Sequence, residues 1–251
     1  MIQIAPLSGI GEVEPGSDLA AVLAAALERA GLTPRGDDVL VVTQKIVSKA
    51  EGRFVALADV DPSPEAIELA ALTRKDARLV ELVLSESSAV VRAVPNVLIT
   101  RHRCGLVMAN AGIDRSNLGA GREEHVLLLP ADADASAAAL RASLAARWSS
   151  PPAVVISDSF GRPWRYGVTN VAIGASGLPA LVDRRGERDR DGRLLEVTQV
   201  ALGDMIATAA GLATGEGAES VPAVLVRGVR WDAASSPASA LVRPLAEDLF
   251  R

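Results

Sequence analysis

The chain has 251 residues and a formal net charge of −5 at pH 7, and 49% of its residues are hydrophobic. That charge excludes a general positive field of the kind that draws nucleic acid or an anionic membrane surface to a protein. The single cysteine, Cys104, excludes an internal disulfide and a zinc site built from several cysteines, and we expect it to be a small buried side chain.

The amino terminus and the apolar runs are typical of a soluble protein. Met1-Ile2-Gln3-Ile4 has neither the basic start nor the long apolar stretch of a signal peptide. No apolar run in the sequence approaches the ~20 residues needed to span a bilayer. We therefore expect a cytoplasmic protein that has no membrane or nucleic-acid partner.

The first predicted elements are a helix and a strand. Ser17 and Asp18 precede a stripe of apolar residues with a period near 3.6, and Gly31 follows the stripe. This combination of cap, stripe and stop predicts a helix. The apolar run Val39–Thr43 then predicts a buried strand.

The rest of the chain mixes helical and strand patterns without a repeat. Pro62 and Pro64 open a second helical region, which we expect to run with one break to about Arg92. Further strands are predicted at Val97–Thr100, Leu106–Ala109, Val126–Leu129, Ala153–Ser157 and Ala223–Val226, and further helices at Asp134–Trp148 and Val200–Leu212. Asp183–Arg193 is predicted to be a long exposed loop. The pattern indicates an α/β or α+β fold and is too irregular for a Rossmann fold or a barrel.

The segment Ser157–Gly167 is the strongest candidate for chemistry. Because it follows a predicted strand, we expect Asp158 and Ser159 to lie at the carboxyl end of that strand, where α/β proteins place ligand groups. A carboxylate beside a hydroxyl suits Mg²⁺ or Mn²⁺ carrying nucleotide phosphates. Arg162 and Arg165 have the planar forks that bind phosphate or carboxylate. The same residues are equally compatible with an Asp-Ser turn and a solvated basic loop.

A second acidic position follows another predicted strand. Gly112 permits close backbone approach, Asp114 offers a carboxylate, and Asn117 offers an amide for a base or ribose. On composition alone, an ordinary Asx turn is the favoured interpretation of this segment.

Two further segments are weaker candidates. Lys45 and Lys49, four residues apart, would share one helical face and could pair with phosphates, although two lysines on a wet surface are the commoner case. Thr214–Ser220 contains glycines that free the backbone to approach phosphate, and Glu216 could bind a metal. A flexible acidic loop has the same composition.

Several common sites are absent from the sequence. No GxxxxGK[ST] motif occurs, and no GxGxxG follows a predicted strand, so ordinary P-loop and Rossmann nucleotide sites are excluded. His102 and His125 have no partners for a catalytic triad or a histidine metal cluster, and we interpret both as structural or exposed.

Taken together, these segments resemble the coenzyme F420-0:L-glutamate ligase family of archaea and actinobacteria. The matching stretches are Pro6–Ile10, Thr43–Gly52, Ala111–Asn117, Ser157–Gly167, Thr169–Gly174, Glu196–Thr198, and the region from Asp204 through Val221–Gly228 to the end of the chain. The resemblance implies a family-specific fold that is neither P-loop, Rossmann nor ATP-grasp. It implies one domain over residues 1–251, with two intertwined subdomains as a variant, and no fused nitroreductase-like domain.

The resemblance also implies the activity and its reactants. The family uses GTP, two divalent cations (Mg²⁺ or Mn²⁺, with K⁺ as a further candidate ion) and L-glutamate, and its acceptor is the phospholactyl deazaflavin F420-0. GTP is converted to GDP and phosphate while an amide forms through an acyl phosphate, and a γ-glutamyl tail can be elongated. A homodimer is implied as well. The family often has Thr where this chain has Ser159, and either residue supplies a hydroxyl.

By the family pattern, the site residues fall into two groups. The implied metal ligands are Asp114, Asp158, Ser159 and Glu216. The implied GTP contacts are Ser8, Gly9, Ile10, Gly11, Gln44, Lys45, Lys49 and Asn117, together with the loop that starts at Thr214, Gly215, Glu216 and Gly217. Apart from the family pattern, we expect Arg162 and above all Arg165 to serve the anionic acceptor, with Trp164 either an apolar wall for the acceptor or a buried core residue. Asp114, Asp158 and Arg165 are the predicted catalytic residues.

Three alternatives use the same residues. The first is a related amide ligase with another acid or amine, and the second is a metal-dependent phosphatase. The third is a nucleotide-sensing module without catalysis. A ligase must yield GDP, phosphate and a joined product together, whereas a phosphatase yields phosphate alone and a sensor binds GTP without turnover.

Overall fold

The computed structural model describes residues 1–248. Its α-helices are α1 (Leu19–Arg29), α2 (Gln44–Ala50), α3 (Pro64–Thr73), α4 (Ala77–Ser85), α5 (Ala133–Ala145) and α6 (Leu202–Thr214). Its strands are β1 (Gln3–Pro6), β2 (Val39–Thr43), β3 (Phe54–Ala56), β4 (Ser87–Val94), β5 (Val97–His102), β6 (Val107–Ala109), β7 (His125–Leu127), β8 (Ala153–Arg162), β9 (Arg165–Ser176), β10 (Val182–Asp183), β11 (Gln199–Val200) and β12 (Ala223–Arg227). The single domain predicted over 1–251 extends past the described residues at 249–251.

The main sheet has five strands in the order β1-β12-β2-β8-β9, with β2 and β8 parallel and the other pairs antiparallel. Side chains of β2 alternate between two buried clusters: Leu40 and Val42 pack with α1 and α5, whereas Val39 and Val41 pack with α6. The period of two in a strand places successive side chains on opposite faces, so a run of apolar residues fits a sheet covered on both sides. The sheet is therefore the middle of three layers.

A third buried cluster lies beside this sheet. The helices α3 and α4 pack on the three-stranded sheet β4-β5-β6 and on the pair β3-β7, and their contact includes Val80, Val83, Leu98 and Val126. The main sheet contains both parallel and antiparallel strand pairs, and helices pack on the sheets throughout. The predicted mixed α/β class is therefore confirmed. Within residues 1–248, no helix is both long and apolar enough to cross a membrane.

Many local predictions are confirmed. The helix α1 begins after Asp18, whose Oδ1 accepts a 2.9 Å hydrogen bond from the backbone N–H of Ala21, and β2 has the predicted bounds. The strands predicted from Val97, Leu106, Val126 and Ala223 and the helices predicted around 134–148 and 200–212 are present with shifts of a few residues. The charged segment after Asp183 is exposed, as expected.

The helical region predicted up to Arg92 is wrong in its last part. The chain leaves α4 at Ser85 and continues as β4, which pairs with β5 and brings Val94 opposite Val97. Asn96, with a φ of +67°, makes the intervening turn. Pairing with the neighbouring strand therefore makes this segment a strand, although its own apolar pattern is compatible with a helix.

The prediction that Asp158 and Ser159 lie at the end of a strand is also wrong. The strand β8 continues through Arg162 and pairs with β9, so that Asp158 faces Val171 and Ser159 faces Asn170 in mid-ladder. The turn of this hairpin contains Trp164, with a φ of +59°, and its tip is exposed. The sequence pattern of β9 had not been recognised as a strand.

Cys104 is exposed rather than buried, which corrects the expectation from composition. It lies in the turn between β5 and β6, where its Sγ is 2.9 Å from Nδ1 of the buried His102. Burial alone would lower the pKa of His102, but the hydrogen bond to Cys104 and the negative charge of Glu86, whose Oε2 lies 3.5 Å from Nε2, outweigh burial and raise the pKa to about 9. The structural interpretation of His102 is confirmed.

Candidate active site

A cavity of about 670 Å³ opens where β2 ends, β8 passes and α6 ends. Its walls combine hard oxygen donors with two lysines. The lining residues are Ile10, Gly11, Glu12, Val13, Thr43, Gln44, Lys45, Ile46, Lys49, Asp114, Ser116, Asn117, Gly119, Ser157, Asp158, Ser159, Asn170, Thr214, Gly215, Glu216, Gly217, Ala218, Ser220, Val221 and Pro222. A concave site with hard oxygen donors and charges of both signs suits a polyanionic ligand accompanied by cations.

The two lysines reach the cavity from α2, which begins as soon as β2 ends. Their four-residue spacing places both on one helical face, as predicted. Lys45 Nζ lies 2.7 Å from Asp114 Oδ2, and Lys49 is paired with Glu12. Gln44 is buried, and its Oε1 accepts a 3.0 Å hydrogen bond from Ser48 Oγ. Both ammonium groups are therefore held at the cavity by carboxylates.

Asp114 is fixed by backbone and side-chain hydrogen bonds. Its N–H and C=O exchange bonds of 3.0 and 2.9 Å with Leu127. Its Oδ1 accepts bonds of 2.7 and 2.8 Å from the N–H and Oγ of Ser116. Burial alone would raise the pKa of Asp114, but Lys45 and Ser116 outweigh burial and lower it. Asp114 therefore makes the predicted Asx turn and also presents its carboxylate to the cavity.

Asp158 has the opposite electrostatic surroundings. Burial raises its pKa to about 7, and the negative charges of Asp114 and Glu216 add to that rise, against the Ser159 amide and Lys45. Three carboxylates therefore influence one another within one cavity. Burial and the neighbouring negative charges therefore disfavour the ionised form of Asp158 until a cation joins it.

Two hydroxyls of the cavity wall add neutral oxygen donors. Ser157 Oγ and Thr214 Oγ1 are buried and have no hydrogen-bond partner within the described residues. Together with Asp114, Asp158, Ser159 and Glu216 they form the hard-oxygen set that Mg²⁺ or Mn²⁺ prefers, so the residues present fit such ions. Across residues 1–248 no three His, Cys, Asp or Glu side chains form a prepared metal cluster. Lys45 instead lies against Asp114.

The loop after α6 is shaped by glycine and by Glu219. Gly215 has a φ of +68°, and a Cβ at this position would lie 2.2 Å from the Glu219 carboxyl carbon. Glu219 Oε2 accepts a 2.8 Å bond from the N–H of Gly217. This arrangement leaves Glu216 exposed and places it on the cavity wall.

The structure brings most of the predicted site residues together. Ile10, Gly11, Gln44, Lys45, Lys49, Asn117, Asp114, Asp158, Ser159 and residues 214–217 all line the cavity. Ser8, Gly9 and Arg165 do not line it. The Gly9 carbonyl accepts a 3.0 Å bond from Arg29, which holds this loop against α1, and Arg165 lies on the exposed hairpin.

Several polar cavity residues have no individual role in the sequence-based assignment, among them Glu12, Ser116, Ser157 and Asn170. Each is a neighbour of a predicted residue in the chain or across β8 and β9. The signal for Glu12 was its position directly after Gly11. Its pairing with Lys49 depends on tertiary structure and has no local sequence signature.

Comparisons with known proteins show the family of the whole chain. Residues 9–228 match the family model described as F420-0:Gamma-glutamyl ligase. The coenzyme F420:L-glutamate ligase of Methanopyrus kandleri is 43% identical over 254 residues, which covers 100% of this chain and 98% of that protein. The ligase of the same name from Methanothermobacter thermautotrophicus is 41% identical, with coverage of 100% and 99%. The one from Halobacterium salinarum is 46% identical, with coverage of 88% and 85%. The chain therefore belongs to the F420-0:gamma-glutamyl ligase family.

Proposed function

We propose that this protein uses GTP to join L-glutamate to coenzyme F420-0. Family membership makes the chain a ligase that forms a carbon–nitrogen bond. The observation that supports the nucleotide is the cavity, where Lys45 and Lys49 lie beside Asp114 and Asp158. Lysines suit phosphates, and the carboxylates suit divalent cations that accompany a nucleotide.

The chemistry explains why such a site is needed. An amine does not displace hydroxide from a carboxylate at neutral pH, because hydroxide is a very poor leaving group. Transfer of the γ-phosphoryl group from GTP to the terminal carboxylate of F420-0 breaks the bond to GDP and gives an acyl phosphate. The glutamate amine then attacks the acyl carbon, phosphate leaves, and the nitrogen loses a proton. Phosphate is a far better leaving group than hydroxide.

Residues of the cavity would supply orientation and charge. Lys45 and Lys49 would hold the phosphates, and Asp114, Asp158, Ser159 and Glu216 would hold the divalent cations. The bound cations would offset the repulsion between the nucleotide and the anionic acceptor and would stabilise charge on the transferring phosphoryl group. A chain with a net charge of −5 can thereby bind two polyanions.

The proposal is tested by stoichiometry with purified protein, Mg²⁺ or Mn²⁺ and K⁺. We expect GDP, phosphate and glutamyl-F420 to form in equal amounts, and only when GTP, F420-0 and L-glutamate are all present. Phosphate release without a joined product would instead indicate a phosphatase. Binding of GTP without any turnover would indicate a sensor.

The first prediction concerns the choice of nucleotide. We expect GTP to bind more tightly than ATP in the presence of Mg²⁺, because the family uses GTP and the cavity has neither a P-loop nor a Rossmann motif. Isothermal titration with each nucleotide measures the difference. Equal or tighter binding of ATP would contradict the guanine assignment.

The second prediction concerns the acceptor. Arg165 lies on the exposed β8–β9 hairpin next to Trp164 and does not line the cavity, although Asp158 and Asn170 of the same two strands do. Arg165→Lys retains the charge but loses the planar fork, so we expect a higher KM for F420-0 with unchanged GTP affinity. Arg162→Lys is the control, because Arg162 donates a 3.1 Å bond to the Tyr166 carbonyl within the hairpin. A fall in GTP affinity would place Arg165 in the nucleotide site instead.

We further propose a homodimer, which the exposed hairpin tip supports. Trp164 and Tyr166 are 83% and 103% exposed, in a chain with 3% aromatic residues. Exposed aromatic side chains are typical of interfaces. Light scattering should give twice the chain mass of 26.0 kDa.

A further inference from the structure

Lys45 lies in a cradle of three oxygen atoms. Its Nζ is 2.7 Å from Asp114 Oδ2, and it donates bonds of 3.0 and 3.1 Å to the carbonyl oxygen and Oγ of Ser116. An ammonium group has three N–H donors, and all three are matched here. One carboxylate oxygen, one carbonyl and one hydroxyl around a single positive charge are also the ligand types that divalent cations prefer.

The cradle is organised independently of the lysine. The N–H and Oγ of Ser116 bind Asp114 Oδ1, which leaves Oδ2 directed toward the positive charge. The backbone of Asp114 is anchored to Leu127 on β7. Lys45, in contrast, belongs to α2 and reaches the cradle through its four-carbon side chain. The oxygens are therefore fixed, and the ammonium is the movable part.

We propose that the Asp114–Ser116 cradle is a cation site that Lys45 fills in the ligand-free protein and leaves when a divalent cation binds. Released from the cradle, Lys45 turns to the nucleotide phosphates in the same cavity. This inference rests on the proposed function and adds to it the two oxygens of Ser116 and the displacement of Lys45. The lysine is thus a positioning residue that serves two anionic partners in turn.

The displacement links metal binding to nucleotide binding. A cation that enters the cradle frees Lys45 for phosphate, and a nucleotide that attracts Lys45 empties the cradle for the cation. Each ligand must therefore raise the affinity for the other by the same factor. Without nucleotide, a cation has to displace the ammonium from its three hydrogen bonds.

The inference is tested by Mn²⁺ binding, measured from the free-ion signal in electron paramagnetic resonance, with no F420-0 or glutamate present. Lys45→Met keeps an unbranched side chain, one atom shorter than lysine, and removes its charge. We expect this variant to bind Mn²⁺ alone about tenfold more tightly than the unmodified protein. The control is Lys49→Met, because Lys49 pairs with Glu12 and not with Asp114, and it reports the general effect of losing a nearby positive charge. We expect a change of less than about threefold for the control.

Two further arms use GDP and Ser116. GDP should tighten Mn²⁺ binding by a larger factor in the unmodified protein than in Lys45→Met, after the Mn²⁺ held by free GDP is measured without protein and subtracted. Ser116→Ala in the Lys45→Met background should weaken Mn²⁺ binding several-fold. Equal gains in Lys45→Met and Lys49→Met, or weaker binding in Lys45→Met, would overturn the displacement. A GDP effect that is missing in the unmodified protein would count against the nucleotide assignment of the proposed function, whereas the metal-alone comparison decides the present inference.

Discussion

Replacement of Asp158 by Asn is expected to lower turnover by several orders of magnitude while the fold is retained. Asn keeps the shape of the side chain but cannot supply a negative charge to a divalent cation. The matched control is Asp204→Asn. Burial also raises the pKa of Asp204, but its Oδ1 accepts a 2.9 Å backbone bond from Ala172 and it does not line the cavity. Near-normal glutamylation by Asp158→Asn would contradict the assignment.

The same substitution should stabilise the metal-free protein. Folding raises the pKa of Asp158 from its ordinary value of 3.8 to about 7, so ionisation of this carboxyl disfavours the folded state. The effect is absent below about pH 4, grows as the pH rises toward about 7, and is complete above that. In EDTA at pH 8, Asp158→Asn should raise the free energy of unfolding by on the order of 4 kcal/mol. Urea unfolding at pH 4 and pH 8 measures it, and equal differences at both pH values would contradict it.

Loss of either cavity lysine is expected to raise the KM for GTP about tenfold to a hundredfold, which corresponds to about 1–3 kcal/mol. Lys45→Ala and Lys49→Ala each remove one point charge from the proposed phosphate site. Lys75→Ala is the control, because Lys75 is the third lysine of the chain and does not line the cavity. Steady-state kinetics with varied GTP gives the comparison. Normal GTP binding by both variants would mean that the two lysines serve the structure alone.

Local signals in the sequence were sufficient for much of the fold. The cap at Asp18 and the apolar run of β2 depend on neighbouring residues, and both were predicted at their observed positions. The hairpin of β8 and β9 was missed because its turn has no Asn-Gly or Asp-Gly signal and instead has a positive φ at Trp164, a bulky residue that rarely adopts one. The segment up to about Arg92, which forms most of β4, was predicted to be helical because only its pairing with β5 makes it a strand.

Individual site residues could be predicted from the sequence, but the contacts between residues of distant segments could not. The spacing of Lys45 and Lys49 correctly predicted one shared helical face, because that property is local to α2. The bonds between Lys45 and Ser116 join positions 71 residues apart, and no pattern in either segment indicates them. The raised pKa of Asp158 likewise results from burial and from carboxylates on other segments.

The central claim is that GTP activates the terminal carboxylate of F420-0 for attack by glutamate. Its most direct test is mass spectrometry after incubation of the protein with GTP, L-glutamate, Mn²⁺ and F420-0 that carries ¹⁸O in that carboxylate. We expect F420-0 to gain the mass of a glutamyl residue and the released phosphate to carry one ¹⁸O atom from the acceptor. A glutamylated product with unlabelled phosphate would contradict the acyl phosphate, and the absence of any glutamylated product would contradict the proposed function itself.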